Sequence, residues 1–429
     1  MTHEYNRQAG RQAGRQAGRQ AGRQNFANRT IWTGDCLEIM RGMNSESIDL
    51  IYLDPPFNSK SDYAAPIGSQ AAGAAFKDTW SLSDIDTDWI ELIETQHPSL
   101  WRVILAAMAD SDKSYLVYMA ARMLEMPRLL KPSGSIYLHC DPTMSHYLKL
   151  AMDAIFGRDN FRNEITWCYP PLGRPPSRNF PRKHDVILFY SRSEHSTFVQ
   201  PFARAEEIER MFTQIDEDGR RYRTLGGRGK YFLDEYKGRA FPDWWDDIPA
   251  AGHMPKAERL GYPTQKPLAL LNRIISASSA AGDVVLDPFC GCATACVASE
   301  NLGRRWIGID LSKKAGELVL QRLAAGDSAV RRTDIALRDD TPHRTDLGPL
   351  LPYNARENRQ QLYGQQEGRC SGCDTHFEMR HLEVDHIVAI TKGGTDHISN
   401  LQLLCSNCNR IKGNRGMEYL RTKLQLLVA

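Results

Sequence analysis

The stretch Ile51-Tyr52-Leu53-Asp54-Pro55-Pro56-Phe57 closes an apolar run that begins at Ile48. A run of this kind is typical of a strand buried on both faces of a parallel sheet, and only Asp49 interrupts it. Two consecutive prolines cannot extend a hydrogen-bonded ladder, so we expect the strand to stop at Asp54 and a stiff turn to follow. That turn would leave a carboxylate, backbone carbonyls and an aromatic ring beside one cleft.

The residues of this turn suit chemistry on an exocyclic amino group of a nucleobase. Such an amine is a poor nucleophile because its lone pair is delocalised into the ring. The Asp54 carboxylate and the Pro55 carbonyl could accept its two hydrogens, with Pro56 stiffening the turn, and Phe57 could stack on a base turned out of the duplex. The alternative is a strand that merely ends at an Asp-Pro turn, and four residues alone do not decide between the two.

The composition is that of an ordinary globular protein. The chain has 429 residues, of which 41% are hydrophobic and 25% charged, and its formal net charge is +2. This length predicts two or three domains, and this composition excludes a wholly disordered chain. No apolar run approaches the roughly 20 residues that span a bilayer, and no signal-peptide core is present, so we expect a cytoplasmic protein without membrane contact. Its ten cysteines would then be reduced, and grouped ones are candidate metal ligands.

Changes in composition divide the chain into four parts. Residues 1–29 carry an Arg-Gln-Ala-Gly repeat, which has no apolar face and predicts a disordered basic tail. Residues 30–325 form a first predicted domain, 326–355 a linker with several prolines, and 356–429 a second domain. Within the first domain, residues 158–255 crowd arginines and aromatic residues, which predicts a nucleic-acid-facing region. An irregular insertion with solvated charges is the alternative.

A second landmark runs from Val284 to Asp310. An apolar strand ends at Asp287, a turn contains Phe289 and Gly291, a helix follows, and a second strand ends at Asp310. Such a βαβ unit can hold a nucleoside-bearing cofactor, because the glycine turn admits the ligand and the second acid can bind ribose hydroxyls. The spacing of Gly291 and Asp310, about 20 residues, favours this interpretation over a unit without ligand.

With both landmarks in view, residues 30–325 resemble the amino-group DNA methyltransferases of the β class. The resemblance rests on four blocks in one order: Gly34-Asp35-Cys36-Leu37, Asp54-Pro55-Pro56-Phe57, Thr264-Gln265-Lys266-Pro267 and Asp287-Pro288-Phe289-Cys290-Gly291. It implies an α/β fold, a mixed and mostly parallel sheet with helices on both faces, and methyl transfer from S-adenosylmethionine to adenine N6 or cytosine N4. It also implies target recognition by residues 158–255 and a cofactor site lined by Asp35, Lys266, Asp287, Phe289, Gly291 and Asp310.

Two positions refine this resemblance. The family usually has a second glycine where this chain has Ala293, so a positive φ there would cost stability or reshape the turn. Aspartate at position 54 favours adenine, since serine is commoner in the cytosine N4 enzymes.

The predicted second domain contains two Cys-x-x-Cys knuckles, Cys370 with Cys373 and Cys405 with Cys408. Two such knuckles in one reduced domain predict a structural Zn²⁺ with four thiolate ligands. Their separation exceeds the usual ribbon spacing, which indicates an insert between them.

Residues 356–418 resemble an HNH nuclease of the ββα-metal type. The resemblance implies that His386 is the general base, that Asp385 and Asn409 hold one Mg²⁺, and that Asn400 braces the loop carrying His386. Four cations nearby are expected to contact phosphates: Lys392, Arg410, Lys412 and Arg415. The alternative is a zinc-stabilised module that binds DNA without cleaving it.

The sequence therefore predicts a site-specific DNA methyltransferase, adenine more likely than cytosine as its target, joined to an HNH endonuclease that acts on double-stranded DNA. The nuclease arm indicates restriction–modification, in which methylation spares host sites. A methyltransferase with a non-cleaving zinc domain stays open, and so does RNA as the substrate, although the HNH module and the motif order favour duplex DNA. A homodimer is compatible with these motifs, which do not define the oligomeric state.

Overall fold

The computed structural model describes residues 24–65, 69–72, 75–76, 78–80, 87–170, 177–203, 210–224, 229–250, 253–325, 330–347, 350–390 and 394–428. The predicted N-terminal repeat, apart from Gln24, lies outside these residues, and so does Lys392, one of the predicted phosphate contacts. Within the described parts of the chain, no helix is both long and apolar enough to cross a membrane.

The strands occur in chain order as follows: β1 Thr30–Thr33, β2 Ile48–Leu53, β3 Tyr63–Ala64, β4 Ala75–Phe76, β5 Leu130–Cys140, β6 Phe161–Cys168, β7 His184–Ser191, β8 Phe202–Ala203, β9 Gln214–Ile215, β10 Arg221–Thr224, β11 Lys230–Phe232, β12 Arg239–Ala240, β13 Trp244–Trp245, β14 Val284–Asp287, β15 Arg305–Asp310, β16 Ala336–Arg338, β17 Leu382–His386 and β18 Leu401–Cys405. The α-helices are α1 Cys36–Gly42, α2 Thr87–Gln96, α3 Pro98–Ala106, α4 Asp110–Met123, α5 Met126–Leu129, α6 Ser145–Phe156, α7 Leu268–Ser278, α8 Thr294–Asn301, α9 Lys314–Ala325, α10 Arg356–Gln365, α11 Ser406–Lys412 and α12 Met417–Val428. Short 3₁₀ helices cover Arg158–Asn160, Lys256–Glu258, Arg332–Asp334, Met379–His381 and Ile398–Asn400.

Nine strands form one sheet in the order β13-β6-β7-β5-β2-β14-β15-β1-β16. Strand β7 runs antiparallel to both of its neighbours, and all other neighbouring strands are parallel. The predicted mixed, mostly parallel sheet is therefore confirmed. Strands β2 and β14, which carry the two sequence landmarks, are direct neighbours at its centre.

Strand β2 is buried on both faces because its alternate side chains enter different cores. Ile51 and Leu53 pack in a cluster with helices α1 to α6, whereas Leu50 and Tyr52 pack in a second cluster with α7 and α8. Helices thus cover both faces, as predicted. Asp49, the polar interruption, accepts hydrogen bonds from Lys131 Nζ at 2.7 and 2.8 Å, which compensates its burial.

Three predicted boundaries differ from the structure. Residues 158–255 are not a single insertion, because β6, β7 and β13 belong to the central sheet. The predicted linker contributes β16, which pairs with β1 along the sheet edge. The predicted tail ends earlier than residue 29, because Phe26 is buried in the core. In each case strand pairing or burial over a few residues outweighed a loop-like composition.

The C-terminal part of the chain has its own small core. Strands β17 and β18 form an antiparallel pair, and α10, α11 and α12 pack around it. Helix α12 also contacts α2 of the preceding part.

Candidate active sites

The carboxyl ends of β1, β2, β14 and β15 open into one cavity of about 500 Å³. This is where parallel sheets bind ligands, since the loops that leave these strand ends converge there. The cavity is lined by every residue predicted for methyl transfer and for cofactor binding: Asp35, Asp54, Pro55, Pro56, Phe57, Lys266, Asp287, Phe289, Gly291 and Asp310.

Lys266 and Asp54 form an ion pair inside this cavity. The Lys266 ammonium donates to the Asp54 carboxylate oxygens at 2.7 and 2.8 Å, and to the Thr264 carbonyl at 3.3 Å. The Lys266 side chain is 7% exposed and that of Asp54 18%. Lys266 was predicted in the cofactor site, and its charged end instead lies on the catalytic candidate.

The segment that carries Lys266 is held in a strained conformation. Thr264 has a φ of +62°, which is uncommon for a β-branched residue. Gln265 fixes the segment, because its side chain accepts from Leu260 N at 2.9 Å and donates to the Glu258 carbonyl at 2.7 Å. These bonds aim the following lysine into the cavity.

Asp287 and Asp310 lie deep in the cavity and bind its backbone. Asp287 accepts from Phe289 N at 3.1 Å, and Asp310 accepts from Gly291 N and Ser312 N, both at 2.8 Å. Burial raises the pKa of both carboxyls, and the charges of Asp54 and Asp310 raise the pKa of Asp287 further. A cationic ligand would relieve this repulsion, so the donor set fits a sulfonium cofactor.

The turn after β14 is closely packed and contains two residues with positive φ. Gly291 has a φ of +49°, and a Cβ there would lie 3.1 Å from the Tyr262 ring. Ala293 has a φ of +57° and a ψ of +37°, at the start of α8. This alanine therefore has the positive φ whose cost was considered from the sequence, and the turn is kept at a conformational cost.

Asp35 has two structural roles at the cavity wall. It caps α1 by accepting from Leu37 N at 2.9 Å, and it accepts from Arg122 at 2.7 and 2.8 Å. Arg122 lies 3.4 Å from the centre of the Tyr118 ring, which faces Phe289 with ring centroids 6.5 Å apart. Asp35 thereby fixes an aromatic wall of the cavity as well as lining it.

Sequence reasoning missed a series of buried, hydrogen-bonded polar side chains behind Phe57. The His139 ring is stacked on the Phe57 ring, with centroids 5.6 Å apart. His139 lies fully buried, with Nδ1 2.9 Å from the Tyr52 hydroxyl and Nε2 3.0 Å from Asp185. Tyr169 donates to the same carboxylate at 2.9 Å. The signal available in the sequence was a histidine inside an apolar strand.

In the C-terminal part, four cysteine sulfurs lie within 4.8 Å of one another. They belong to Cys370, Cys373, Cys405 and Cys408. Ligand atoms of one tetrahedral zinc ion, each about 2.3 Å from the metal, fall within this separation. Because the four belong to one small core, the site fits a structural zinc.

His386 is held by contacts that the sequence did not indicate. Its Nε2 lies 2.8 Å from Asp396, and its ring centroid is 4.8 Å from that of Tyr353. Asn400 bonds the loop after His386 at three points: it accepts from Val388 N and donates to the carbonyls of Val388 and Thr395, at 2.9 to 3.0 Å. Asn400 thus lies where the predicted bracing role requires it.

The residues predicted to hold Mg²⁺ do not fit that ion as they are placed. Asp385 Oδ2 accepts from Lys412 at 3.0 Å and from Gln402 at 2.9 Å, whereas Asn409 donates to Glu383 at 2.6 Å. An ammonium therefore binds one oxygen of the carboxylate that the cation would need. Lys412 is 1% exposed, so its predicted contact with phosphate is wrong for this conformation.

Residues 48–321, well over half of the chain, match the protein family described as DNA methylase, and residues 370–415 match the family described as HNH endonuclease. The type II methyltransferase M.EcaI of Enterobacter cloacae is 27% identical over 350 residues, which cover 70% of this chain and 70% of that protein. The DNA adenine methyltransferase YhdJ of Escherichia coli (strain K12) is 25% identical over 308 residues, which cover 69% of this chain and 82% of that protein. The solved PvuII DNA methyltransferase (cytosine-N4-specific) is 13% identical with a TM-score of 0.42, covering 73% of this chain and 95% of that one. Both family matches agree with the resemblances seen in the sequence.

Proposed function

The chain belongs to the N6/N4 family of DNA methylases, and from this premise we propose that it transfers a methyl group from S-adenosylmethionine to an exocyclic amino group in double-stranded DNA. The observation that carries the proposal is the shared cavity. It brings the acid, the prolines and the ring of the first landmark together with the two acids and the glycine turn of the second.

In the proposed reaction, Asp54 and the Pro55 carbonyl accept the two amino hydrogens of the target base, which makes its nitrogen more nucleophilic. Phe57 stacks on the base, and Pro56 keeps the turn rigid. Asp54 also takes the proton that the nitrogen sheds once it is alkylated. An incoming amine must share or displace the Lys266 ammonium, because that ammonium already binds both oxygens of Asp54.

We assign the cofactor to the inner end of the cavity. Asp310 and Asp287 would bind and orient it, Gly291 lets it approach the backbone, and Phe289 with Asp35 closes the wall. When bound, S-adenosylmethionine supplies a methyl group on a positively charged sulfur. The cluster of carboxyls suits that charge. Burial and the charges of Asp54 and Asp310 raise the pKa of Asp287, and burial raises the pKa of Asp310.

Adenine N6 is the target that we propose. Asp54 opens the catalytic tetrapeptide where serine is commoner in cytosine N4 enzymes, and a relative that is 25% identical is named a DNA adenine methyltransferase. A cytosine target would require N4-methylcytosine in the product.

We further propose that the HNH domain cleaves DNA with His386 as general base, and that methylation protects the site from cutting. The pair of His386 with Asp396 supports this role, because a carboxylate on Nε2 leaves Nδ1 to accept a proton from water. The buried pair of Lys412 with Asp385 supports the second candidate, a zinc-stabilised domain that binds DNA without cutting.

The test uses wild type, Asp54→Ala, His386→Ala and, as a matched control, the solvent-exposed His195→Ala. Each protein is incubated with labelled S-adenosylmethionine, Mg²⁺ and unmethylated plasmid, and methyl incorporation and strand breaks are scored together. We expect Asp54→Ala to lose only methylation, His386→Ala to lose only cutting, and His195→Ala to lose neither. Nuclease digestion of the product identifies the methylated base.

Each proposed role has its own contrary result. Methylation that survives Asp54→Ala contradicts the catalytic assignment. A wild type that methylates and binds DNA but never cuts supports the non-cleaving domain. Equal cutting of methylated and unmethylated plasmid sinks the restriction–modification role.

A further inference from the structure

Phe180 is the most exposed large apolar side chain that the structure describes, at 93%. It lies in the connection between β6 and β7, and Asn179 donates to its carbonyl at 2.9 Å. Burying a phenyl ring is favourable, so an isolated one held fully in water is a feature that a partner can use.

The neighbours of Phe180 are cations. Arg178 and Arg182 are exposed, Lys183 is half-buried, and among the described residues none of the three has a carboxylate partner. Cations on both sides of a ring disfavour the insertion of that ring into an apolar protein surface or a lipid core. They suit phosphates that flank a base step, which attract unpaired cations while the apolar ring enters between the bases.

The connection leaves the sheet beside the proposed base pocket. The backbone N–H of Tyr169 donates to the Lys183 carbonyl at 3.0 Å, which joins the two ends of this connection. Two residues on, Asp185 holds His139, which lies under Phe57. Phe180 is five residues from Asp185, so the chain keeps it within about 18 Å of that carboxylate.

We propose that Phe180 enters the duplex at the position from which the target base is turned out, with Arg178 and Arg182 on the flanking phosphates. The inference rests on the proposed function, since only an enzyme that extrudes its target needs a residue to fill the gap. Filling the gap keeps the neighbouring bases stacked and lowers the cost of holding the target outside.

The experiment compares Phe180→Ala with Phe180→Trp and with Met108→Ala. Met108 is another exposed apolar side chain, at 90%, and lies in the connection between α3 and α4. The methylated sequence is first mapped on plasmid DNA treated with wild type. Methyl transfer is then measured on two synthetic duplexes of that sequence, one fully paired and one with the target opposite an abasic site.

An abasic partner removes most of the pairing that opposes extrusion, so a gap-filling residue matters less on that duplex. We expect Phe180→Ala to lose tenfold or more in kcat/KM on the paired duplex and to come within threefold of wild type on the abasic one. Phe180→Trp should stay close to wild type on both, and Met108→Ala should be unchanged.

Four results overturn the inference and can be told apart. If Phe180→Ala matches wild type on the paired duplex, or loses equally on both duplexes, Phe180 does not fill the gap although the enzyme methylates DNA. If Phe180→Ala changes only the oligomeric state, the ring is a contact between copies of the chain. If wild type transfers no methyl group to any DNA, the proposed function fails and the inference fails with it.

Discussion

The Lys266 ammonium bridges both carboxylate oxygens of Asp54, although the two residues are 212 positions apart in the chain. The contact joins the segment after Met254 to the turn after β2, so the catalytic candidate and the strained Thr264 segment are positioned together. An amine of a base would compete for the same oxygens, so this pair bears on how readily the pocket accepts a base.

We expect Lys266→Met to destabilise the protein, because it leaves the largely buried Asp54 without its partner. The loss should be about 1–3 kcal/mol. A double-mutant cycle with Asp54→Ala should give a coupling of similar size, measured by urea unfolding with tryptophan fluorescence. All eight tryptophans lie between Trp32 and Trp306, so this signal reports on the sheet domain.

The matched control for that cycle is the exposed pair of Arg220 with Asp234, 2.9 Å apart. Solvent screens such pairs, so their cycle should show no resolvable coupling. Strictly additive effects of Lys266→Met and Asp54→Ala would contradict the role assigned to the buried pair.

A second prediction concerns His139 and the pH dependence of stability. Although burial raises the pKa of Asp185, the hydrogen bond and charge of His139 lower it more, so it lies below its usual value. A carboxyl with a depressed pKa adds stability above its unfolded pKa of about 4, and this is lost as pH falls through the folded pKa. His139→Phe keeps a ring under Phe57 but leaves Asp185 buried without that bond.

We therefore expect His139→Phe to lose about 1–3 kcal/mol near neutral pH. The difference from wild type should shrink as the pH falls below about 4, where the carboxyl is protonated in both unfolded chains. Urea unfolding at several pH values checks this, and a difference that grows in acid would refute it. Because the ring is retained, methyl transfer should fall less in His139→Phe than in His139→Ala.

A third prediction is that Ala293→Gly stabilises the protein. Glycine adopts the left-handed conformation of this residue without the steric cost that alanine incurs, about 1 kcal/mol. Thermal unfolding should shift upward by about 2–4 °C. The control is Ala298→Gly in the interior of α8, which should lose a similar amount because glycine weakens helices. A lower midpoint for Ala293→Gly would show that the alanine methyl group is needed for packing.

A fourth prediction concerns zinc. Elemental analysis should find one zinc ion per chain in wild type and in Cys168→Ser, and none in Cys408→Ser, because only the latter removes one of the four grouped thiols. A chelator should make the C-terminal part sensitive to protease, since its small core contains the four cysteines. Zinc retained by Cys408→Ser would contradict the four-thiolate site.

The sequence predicted those features that are written in a few adjacent residues. Asp54, Asp287 and Asp310 each end an apolar run, and parallel strands bring such ends to one edge, so their convergence on one cavity could be expected. The four grouped cysteines could be predicted in the same way, because each Cys-x-x-Cys pair lies within four consecutive residues.

Contacts between distant segments could not be read in this way. Lys266 was placed near the cofactor by similarity, and its binding to Asp54 depends on the path of the backbone over more than two hundred residues. Lys412 looked like a surface cation, yet α11 packs it into the small core beside Asp385. His139 was hidden because one polar residue inside an apolar strand does not show which partners two other strands supply.

Strand β16 also limits how far the two halves of the chain can separate. It pairs with β1, and beyond it Asp346 accepts from Ser45 N at 2.8 Å, so the chain is tied to the sheet domain as far as residue 346. Only ten residues then lead to the start of α10 at Arg356. Fully extended they reach at most about 35 Å, which is about ten base pairs of a duplex that rises 3.4 Å per step. Any strand break made by the tethered domain should therefore fall within roughly one helical turn of the sheet domain's footprint on the DNA.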